Sequence, residues 1–216
     1  MTNATQAYRE ARDLLLSLRG KHDEAVATFR WPALGDRFNW AVDWFDAYAR
    51  GNSRPALIIV EEDGQRTERT FDEMSTRSDT LATWLANVGV QRGDSVLLML
   101  GNQVELWEAM LAVMKLGAVI MPTTTAAGPT ELIDRIRRGG AKFVITNPSE
   151  TGKFDEVPGD SGRVSIGPAE GWEDLRTAYQ GGPVPPTPHP ETAPGDRLLL
   201  YFTSGTTSRP KLVEHT

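Results

Sequence analysis

The stretch from Thr203 to Lys211 concentrates residues that can bind an anion, directly after an apolar run that ends at Phe202. Five of its first six residues carry a hydroxyl group, and the exception is Gly205. Hydroxyl groups donate hydrogen bonds to phosphate oxygens, Gly205 lets backbone N–H groups approach an anion, and Lys211 adds a positive charge. The composition suits a nucleotide triphosphate, although the spacing of a Walker A loop is absent. A solvated turn rich in serine and threonine is the alternative that composition leaves open.

The residues before this stretch alternate between apolar strands and amphipathic helices. Strands are predicted at Ser95–Leu100, Ala118–Met121, Lys142–Thr146 and Arg197–Phe202, the last of which we take as the final strand. Continuous apolar runs are typical of strands that are covered on both faces. Their alternation with helices predicts a doubly wound, mostly parallel α/β sheet with flanking helices. Ligands bind beyond the carboxyl ends of strands in such sheets, which is where the hydroxyl-rich stretch begins.

Three segments follow from this pattern. Residues 1–50 form an N-terminal helical and aromatic-rich segment, whose tryptophan and phenylalanine side chains, Trp31 among them, are expected to pack on the core. Residues 51–72 form a β-hairpin because an apolar run meets a turn at Asp63-Gly64. Residues 73–216 form an α/β subdomain that ends in the hydroxyl-rich stretch. The exposed edge of the hairpin predicts pairing with another chain, and hence a homodimer.

Composition excludes several classes of protein. The chain has 216 residues and a net charge of −6, so a broad basic surface for nucleic acid is not expected. It has no cysteine, and His22 and His189 have no partner pattern, so no metal site is assigned. No apolar stretch is long enough for a signal peptide or a membrane span. We therefore expect a cytoplasmic protein.

Several stretches carry a resemblance to a known family. The C-terminal sequence YFTSGTTSRPKLVEHT resembles the phosphate-loop signature of the AMP-forming acyl-CoA synthetases, which belong to the adenylate-forming superfamily. Upstream, the turn with Gly89-Val90 and Gly93-Asp94 and the junction KLGAVIMP are similar to the N-terminal core of that family. The stretches FNWAVDWFD and MLGNQVELWE are most similar to the acetyl- and medium-chain branch. The chain thus resembles the N-terminal portion of such an enzyme.

The resemblance implies a reaction in two steps. A carboxylic acid, here a short- or medium-chain fatty acid, attacks the α-phosphate of ATP in the presence of Mg²⁺, and coenzyme A then takes the acyl group and releases AMP. The family's phosphate-binding role carries over to Thr203, Ser204, Gly205, Thr206, Thr207 and Lys211. The sequence departs from the family pattern at Ser208 and Leu212, where glycine is usual or frequent, and this puts the mobility of the loop in doubt.

Several expectations remain open at this point. The acyl pocket, the adenine and ribose contacts and the adenylation lysine of the family have no counterpart here, so no catalytic residue is assigned and the chain alone is expected to be inactive. A ligase for aryl or amino acids, or a non-catalytic nucleotide-binding or interaction module, are the alternatives. Arg135, Arg137 and Arg138 are expected at a helix C-terminus, where the helix dipole favours cations. Glu105 and Glu108 are expected on a solvated helix face.

Overall fold

A computed structural model of the protein describes residues 3–185, 191–203 and 210–216, and its centre is a seven-stranded sheet. The strands are β3 (Ser95–Met99), β4 (Val119–Pro122), β5 (Ala141–Thr146), β6 (Gly162–Ser165), β7 (Glu173–Asp174), β8 (Leu199–Thr203) and β9 (Lys211–His215). They lie in the order β7-β6-β5-β3-β4-β8-β9, and all neighbours are parallel except β8 and β9. The predicted mostly parallel α/β sheet is confirmed.

Helices cover both faces of this sheet. The main ones are α4 (Phe71–Asn87), α5 (Val104–Lys115) and α6 (Pro129–Gly139), with short 3₁₀ helices at Pro148–Phe154 and Leu175–Tyr179. Val96 and Leu98 of β3 join the apolar core under α4 and α5, whereas Leu97 and Met99 join the core under α6. All four side chains are at most 1% exposed. Because successive side chains of a strand point to opposite faces, a strand covered on both sides must be apolar throughout.

Local capping groups fix where α4 and α6 begin and end. Thr70 and Glu73 form a capping box: the Thr70 side chain accepts from the Glu73 N–H, and the Glu73 carboxylate accepts from the Thr70 N–H at 2.7 Å. That backbone hydrogen bond lowers the pKa of Glu73. Helix α6 starts with Pro129 and ends before Gly140, whose φ of 62° is left-handed. These caps set the reach of the helices toward the edges of the sheet.

The N-terminal segment is mostly helical, as predicted, but it does not bury all of its aromatic residues. It contains α1 (Asn3–Ser17), α2 (His22–Thr28), a π-helical turn (Trp40–Asp46) and α3 (Ala47–Ala49). The expectation that Trp31 packs on the core is wrong, because 84% of this residue is exposed and its ring makes a T-shaped contact with Phe29. The predicted hairpin is confirmed as the antiparallel pair β1 (Pro55–Val60) and β2 (Arg66–Thr70).

Charged groups join the N-terminal segment to the core in what we call the Lys115 cluster, formed by Lys115, Asp46, Asp79, Arg50 and Ser75. Lys115 has no exposed surface, and its Nζ lies 2.9 Å from Asp46 and 2.8 Å from Asp79. Arg50 contacts the same two carboxylates, and the Ser75 hydroxyl donates to Asp46. Two cations thus balance two anions at the junction of the π-helical turn, α4 and α5.

The prediction that the strand ending at Phe202 is the last one was wrong. Lys211–His215 forms β9, which pairs antiparallel with β8 at the edge of the sheet. The sequence KLVEH mixes apolar and charged residues because an edge strand is only partly covered, so it lacks the continuous apolar run used to find the other strands. The stretch after Thr203 therefore connects the two strands of a hairpin.

Candidate functional site

A cavity of about 540 Å³, which we call the carboxyl-edge cavity, opens where the parallel strands end. It lies between Leu98 and Leu100 at the end of β3, Pro122–Thr124 at the end of β4, and Tyr201–Thr203 at the end of β8. Glu131 and Arg135 of α6 complete its polar lining, and Leu106 of α5 adds an apolar wall. The cavity therefore combines apolar walls with a few polar groups, as ligand sites usually do.

The topology of the sheet creates a crevice at the carboxyl end of β3, beside the cavity. From β3 the chain passes through α5 to β4 on one side, and from β4 it returns through α6 to β5 on the other side of β3. Helices α5 and α6 consequently pack on opposite faces. A crevice forms where the direction of winding reverses, and ligands bind there in open α/β sheets. The reversal falls between β3 and β5, and the carboxyl-edge cavity lies next to it, over the ends of β3, β4 and β8.

Two of the six predicted phosphate-binding residues are brought together at this edge. Thr203, the last residue of β8, is the register partner of Lys211, the first residue of β9. Side chains of directly opposed residues in an antiparallel pair lie on the same face of the sheet, so the threonine and the exposed lysine are neighbours. Ser204, Gly205, Thr206 and Thr207 lie outside the residues that the structure describes.

Arginines of α6 contact both flanks of the predicted phosphate loop. The guanidinium carbon of Arg138 lies 5.2 Å from the centre of the Phe202 ring, and its Nη2 donates to the Pro210 carbonyl at 2.9 Å. Arg135 lies 4.9 Å from the same ring, while Glu131 accepts from its Nε at 2.9 Å. Arg137 and Arg138 lie in the last turn of α6 as predicted, whereas Arg135 lies one turn earlier. The contacts of Arg135 and Arg138 with the flanks of the loop were not foreseen.

The expectation of a solvated face for Glu108 was wrong. Its side chain has no exposed surface and forms an ion pair with Arg77, while the Tyr179 hydroxyl donates to it at 2.6 Å. Burial, followed by the nearby Glu108 charge, raises the pKa of Tyr179, so the phenol stays protonated and remains a donor. The Arg77 guanidinium carbon lies 3.9 Å from the Tyr179 ring centre. This group anchors the Leu175–Tyr179 helix to α4 and α5.

Sequence reasoning also missed Thr123, which lines the carboxyl-edge cavity. The available signal was the run Thr123-Thr124-Thr125 immediately after a predicted strand, where ligand-facing residues are expected. Over the described ranges, no group of histidine, aspartate and glutamate side chains is arranged to hold a metal ion. His215 lies exposed on β9, and its carbonyl accepts from the Leu198 N–H.

An open α/β sheet with helices on both faces and a cavity at the carboxyl ends of its strands is the architecture of the doubly wound class. Sequence comparison makes the assignment specific: the AMP-binding enzyme family matches residues 44–216, and the chain belongs to that family. The mouse mitochondrial acyl-coenzyme A synthetase ACSM5 is 30% identical over 210 residues, covering 89% of this chain and 36% of that protein. The resemblance to acyl-CoA synthetases is thereby confirmed.

Solved structures agree with this assignment. The crystal structure of an acyl-CoA synthetase from Brucella canis superposes with a TM-score of 0.77 at 30% identity, covering 89% of this chain and 37% of the other. The N-terminal subdomain of Klebsiella oxytoca NpsA, solved with 3-hydroxybenzoyl-AMSN, gives a TM-score of 0.61 at 25% identity, covering 83% and 40%. The chain spans about a third of the length of the curated relatives and corresponds to the N-terminal portion of the longer enzymes. No helix among the described residues is long and apolar enough to span a bilayer.

Proposed function

We propose that the chain supplies the ATP-phosphate end of an AMP-forming acid–thiol ligase, which converts a short- or medium-chain fatty acid to its coenzyme A thioester. The observation that carries this proposal is the register pair of Thr203 and Lys211 beside the carboxyl-edge cavity. The pair places a hydroxyl donor and a cation at the two ends of the predicted phosphate loop. Membership of the AMP-binding family supports the same reading.

The proposed chemistry consists of two displacements. A carboxylate oxygen of the acid bonds to the α-phosphorus of ATP, the bond from that phosphorus to the bridging oxygen of the β-phosphate breaks, and pyrophosphate leaves. The thiol of coenzyme A, having lost its proton, then bonds to the acyl carbon, and AMP leaves with the electrons of the broken acyl–oxygen bond. Transfers at phosphorus depend mainly on positioning and on charge stabilisation. The role of this chain is to hold the β- and γ-phosphates.

Each proposed site residue has a role that suits its chemistry. Lys211 supplies a mobile cation, and Thr203 a hydroxyl donor at the end of a rigid strand. Ser204, Thr206 and Thr207 add further hydroxyl donors, and Gly205 allows the backbone to approach the phosphate oxygens. Hydroxyl and ammonium groups are donors suited to phosphate oxygens, which leaves those phosphates as the natural ligands of Mg²⁺. Bound Mg²⁺ neutralises phosphate charge.

A second candidate is a ligase for aryl acids, which the similarity to the Klebsiella oxytoca subdomain solved with 3-hydroxybenzoyl-AMSN favours. The same phosphate site would serve either acid, because the acid does not contact the β- and γ-phosphates. We also propose a cytoplasmic location and a homodimer paired through the β1–β2 hairpin, whose strand β1 is partly exposed. The mouse relative, by contrast, is named as a mitochondrial protein.

Binding of ATP tests the proposal directly. We expect the 216-residue chain to bind Mg·ATP with a Kd near 1 mM or weaker, about −4 kcal/mol, because one loop offers few contacts. Lys211→Ala should weaken binding several-fold, as followed by chemical-shift titration. Lys142→Ala is the matched control, since this exposed lysine lies at the opposite end of a parallel strand. Equal affinities for the two variants would refute the assignment of Lys211.

Turnover by the isolated chain is expected to be absent. The matched relatives are much longer, and the resemblance implies that their remaining length holds the adenine, the ribose and the acid. Loss of such positioning removes about 7–11 kcal/mol of catalytic advantage. ATP–pyrophosphate exchange should therefore stay at background with acetate, butyrate, octanoate and benzoate. Exchange above that of Lys211→Ala would mean that the chain contains a complete active site.

A further inference from the structure

Thr123 carries a buried hydroxyl group that no described residue satisfies. The residue is 6% exposed, and its Oγ1 has no hydrogen-bond partner in the described part of the chain. Buried polar groups in folded proteins are nearly always paired, because an unpaired one loses its bonds to water without replacement. Thr123 also lines the carboxyl-edge cavity. An unsatisfied hydroxyl at the wall of a cavity is placed to bond a ligand.

The backbone around Thr123 is held in place by the sheet. Leu98 and Pro122 are the last register partners of β3 and β4, and the Thr123 N–H extends that pairing by donating to the Leu98 carbonyl at 2.9 Å. The following turn is fixed as well, because Lys153 Nζ donates to the Thr125 carbonyl at 2.6 Å. Groups that bind ligands most effectively are held by a rigid scaffold before the ligand arrives. Thr123 meets that condition.

The neighbours of Thr123 suit a ligand that is rich in acceptor oxygens. Arg135 lines the same cavity with 8% of its surface exposed, and Thr203 lines it at the end of β8, the neighbour of β4 in the sheet. Glu131 bonds Nε and Nη2 of Arg135 and balances its formal charge. The polar side chains that face the cavity are therefore mainly donors, which suits a ligand rich in acceptor oxygens.

We propose that the Thr123 hydroxyl donates a hydrogen bond to a phosphate oxygen of the bound nucleotide, which makes Thr123 a ligand-contacting residue outside the phosphate loop. The inference rests on the proposed function, and it extends the phosphate site from the β8–β9 hairpin to the end of β4. It would also give a partner to a buried hydroxyl group that no described residue bonds.

Ser165 provides a matched comparison. Its Oγ is also buried without a partner among the described residues, and the residue has no exposed surface. It lies at the end of β6 and does not line the carboxyl-edge cavity. Removing either hydroxyl should relieve an unsatisfied group, but only the loss of the Thr123 hydroxyl should affect a ligand.

The experiment combines melting temperature with ligand titration for Thr123→Val, Thr123→Ser and Ser165→Ala, with Mg·ATP and magnesium pyrophosphate as the probes. We expect Thr123→Val, which keeps the side-chain shape, to raise Tm by about 2–4 °C and to weaken binding of both probes about tenfold. Thr123→Ser should retain binding within about twofold, because it keeps the hydroxyl group. Ser165→Ala should leave the affinities unchanged.

Three results would overturn the inference. A lower Tm for Thr123→Val would mean that the hydroxyl has a protein partner, and unchanged affinity would mean that it contacts no phosphate. Weaker binding by Ser165→Ala to the same extent would make the effect a general one. If the unaltered chain binds neither probe, the proposed function itself fails and this inference fails with it. Normal binding that is insensitive to Thr123→Val removes the inference alone.

Discussion

The Lys115 cluster and the carboxyl-edge cavity both place polar groups in apolar surroundings. The two regions differ in whether those groups have hydrogen-bond or ion-pair partners. In the cluster, Lys115 reaches Asp46 and Asp79 at 2.9 and 2.8 Å, and Arg50 closes the ring of charges. At the cavity, the Thr123 hydroxyl has no partner within the described ranges. A complete network belongs to the architecture, whereas an incomplete one at a cavity wall points to a ligand.

Charge balance explains why the cluster tolerates the burial of Lys115, Asp46 and Asp79. Burial raises the pKa of Asp46, since it disfavours the carboxylate, and the nearby Lys115 ammonium opposes this effect. The Ser75 hydroxyl donates to Asp46 at 2.7 Å, and the Ser75 carbonyl accepts from Lys115. A buried ion pair whose members are all satisfied contributes little net stability. Removal of one partner, however, leaves a buried charge without compensation. The two regions should therefore respond very differently to substitution.

The largest effect is expected for Lys115→Met. This variant fills the space but leaves Asp46 and Asp79 with only the half-exposed Arg50 as a counter-ion, so we expect a loss of about 3–5 kcal/mol in the free energy of unfolding. Urea denaturation measures it, and Arg137→Gln, at an exposed position, should change it by less than about 0.5 kcal/mol. A loss below about 1 kcal/mol would show that the cluster is not a structural unit.

An intermediate effect, confined to the cavity side, is expected for Arg138→Gln. The variant loses the hydrogen bond to the Pro210 carbonyl and the stacking on Phe202, together worth about 1 kcal/mol for a partly exposed group. Amide hydrogen exchange in β9 should accelerate about fivefold, while exchange in β3 stays unchanged. The neighbouring Arg137→Gln serves as the control. Equal β9 exchange in both variants would mean that Arg138 does not anchor the hairpin.

The smallest effect on stability is expected for Glu73, which lies in neither region. It shows how much an exposed hydrogen-bonded pair, here Glu73 with the Thr70 backbone, contributes to stability. Its pKa is lowered by the hydrogen bond from the Thr70 backbone, so the folded protein stabilises the carboxylate. That stabilisation is present above the ordinary value of 4.5 and is lost as the pH falls through the lower folded pKa. Glu73→Gln keeps the capping box but removes the titration.

We expect Glu73→Gln to lower stability by a few tenths of a kcal/mol at pH 7, measured by urea denaturation. Between pH 5 and pH 3 (roughly the window of this titration) the difference between the variant and the unaltered protein should shrink. A difference that grows on acidification would mean that the carboxylate is not the stabilised form in the folded protein.

The sheet could be predicted from the sequence because its central strands are apolar throughout. Alternate residues of β3 face two different cores, so Val96, Leu97, Leu98 and Met99 all have to be apolar. A short, continuous apolar run is typical of a strand that is covered on both faces. The edge strand β9 does not have a continuous apolar run, because Lys211 and Glu214 are exposed to solvent. Trp31 was predicted to be buried on the strength of its size, but a large apolar side chain is often exposed in a loop.

The candidate site could be predicted only in part. The hydroxyl-rich composition predicts Thr203 and Lys211 as site residues, whereas the positions of Arg138 and Thr123 depend on contacts between elements that are distant in the chain. The sequence did contain a signal for the burial of Lys115, which is the single charged residue in the apolar stretch LAVMKLGAV. Its partners Asp46 and Asp79 lie on other helices, so pairing appears only once the helices are packed.

The attachment of the β8–β9 hairpin has a consequence for the order in which the protein folds. Five register pairs join β8 to β9, but one pair, Ile120 with Leu199, joins β8 to β4. Contacts between neighbours in sequence form quickly, while pairing across a long intervening segment is slow. The hairpin should therefore close early and dock late. In a refolding experiment, the capacity to bind nucleotide would then appear only after the central sheet is complete, as the final property that the chain acquires.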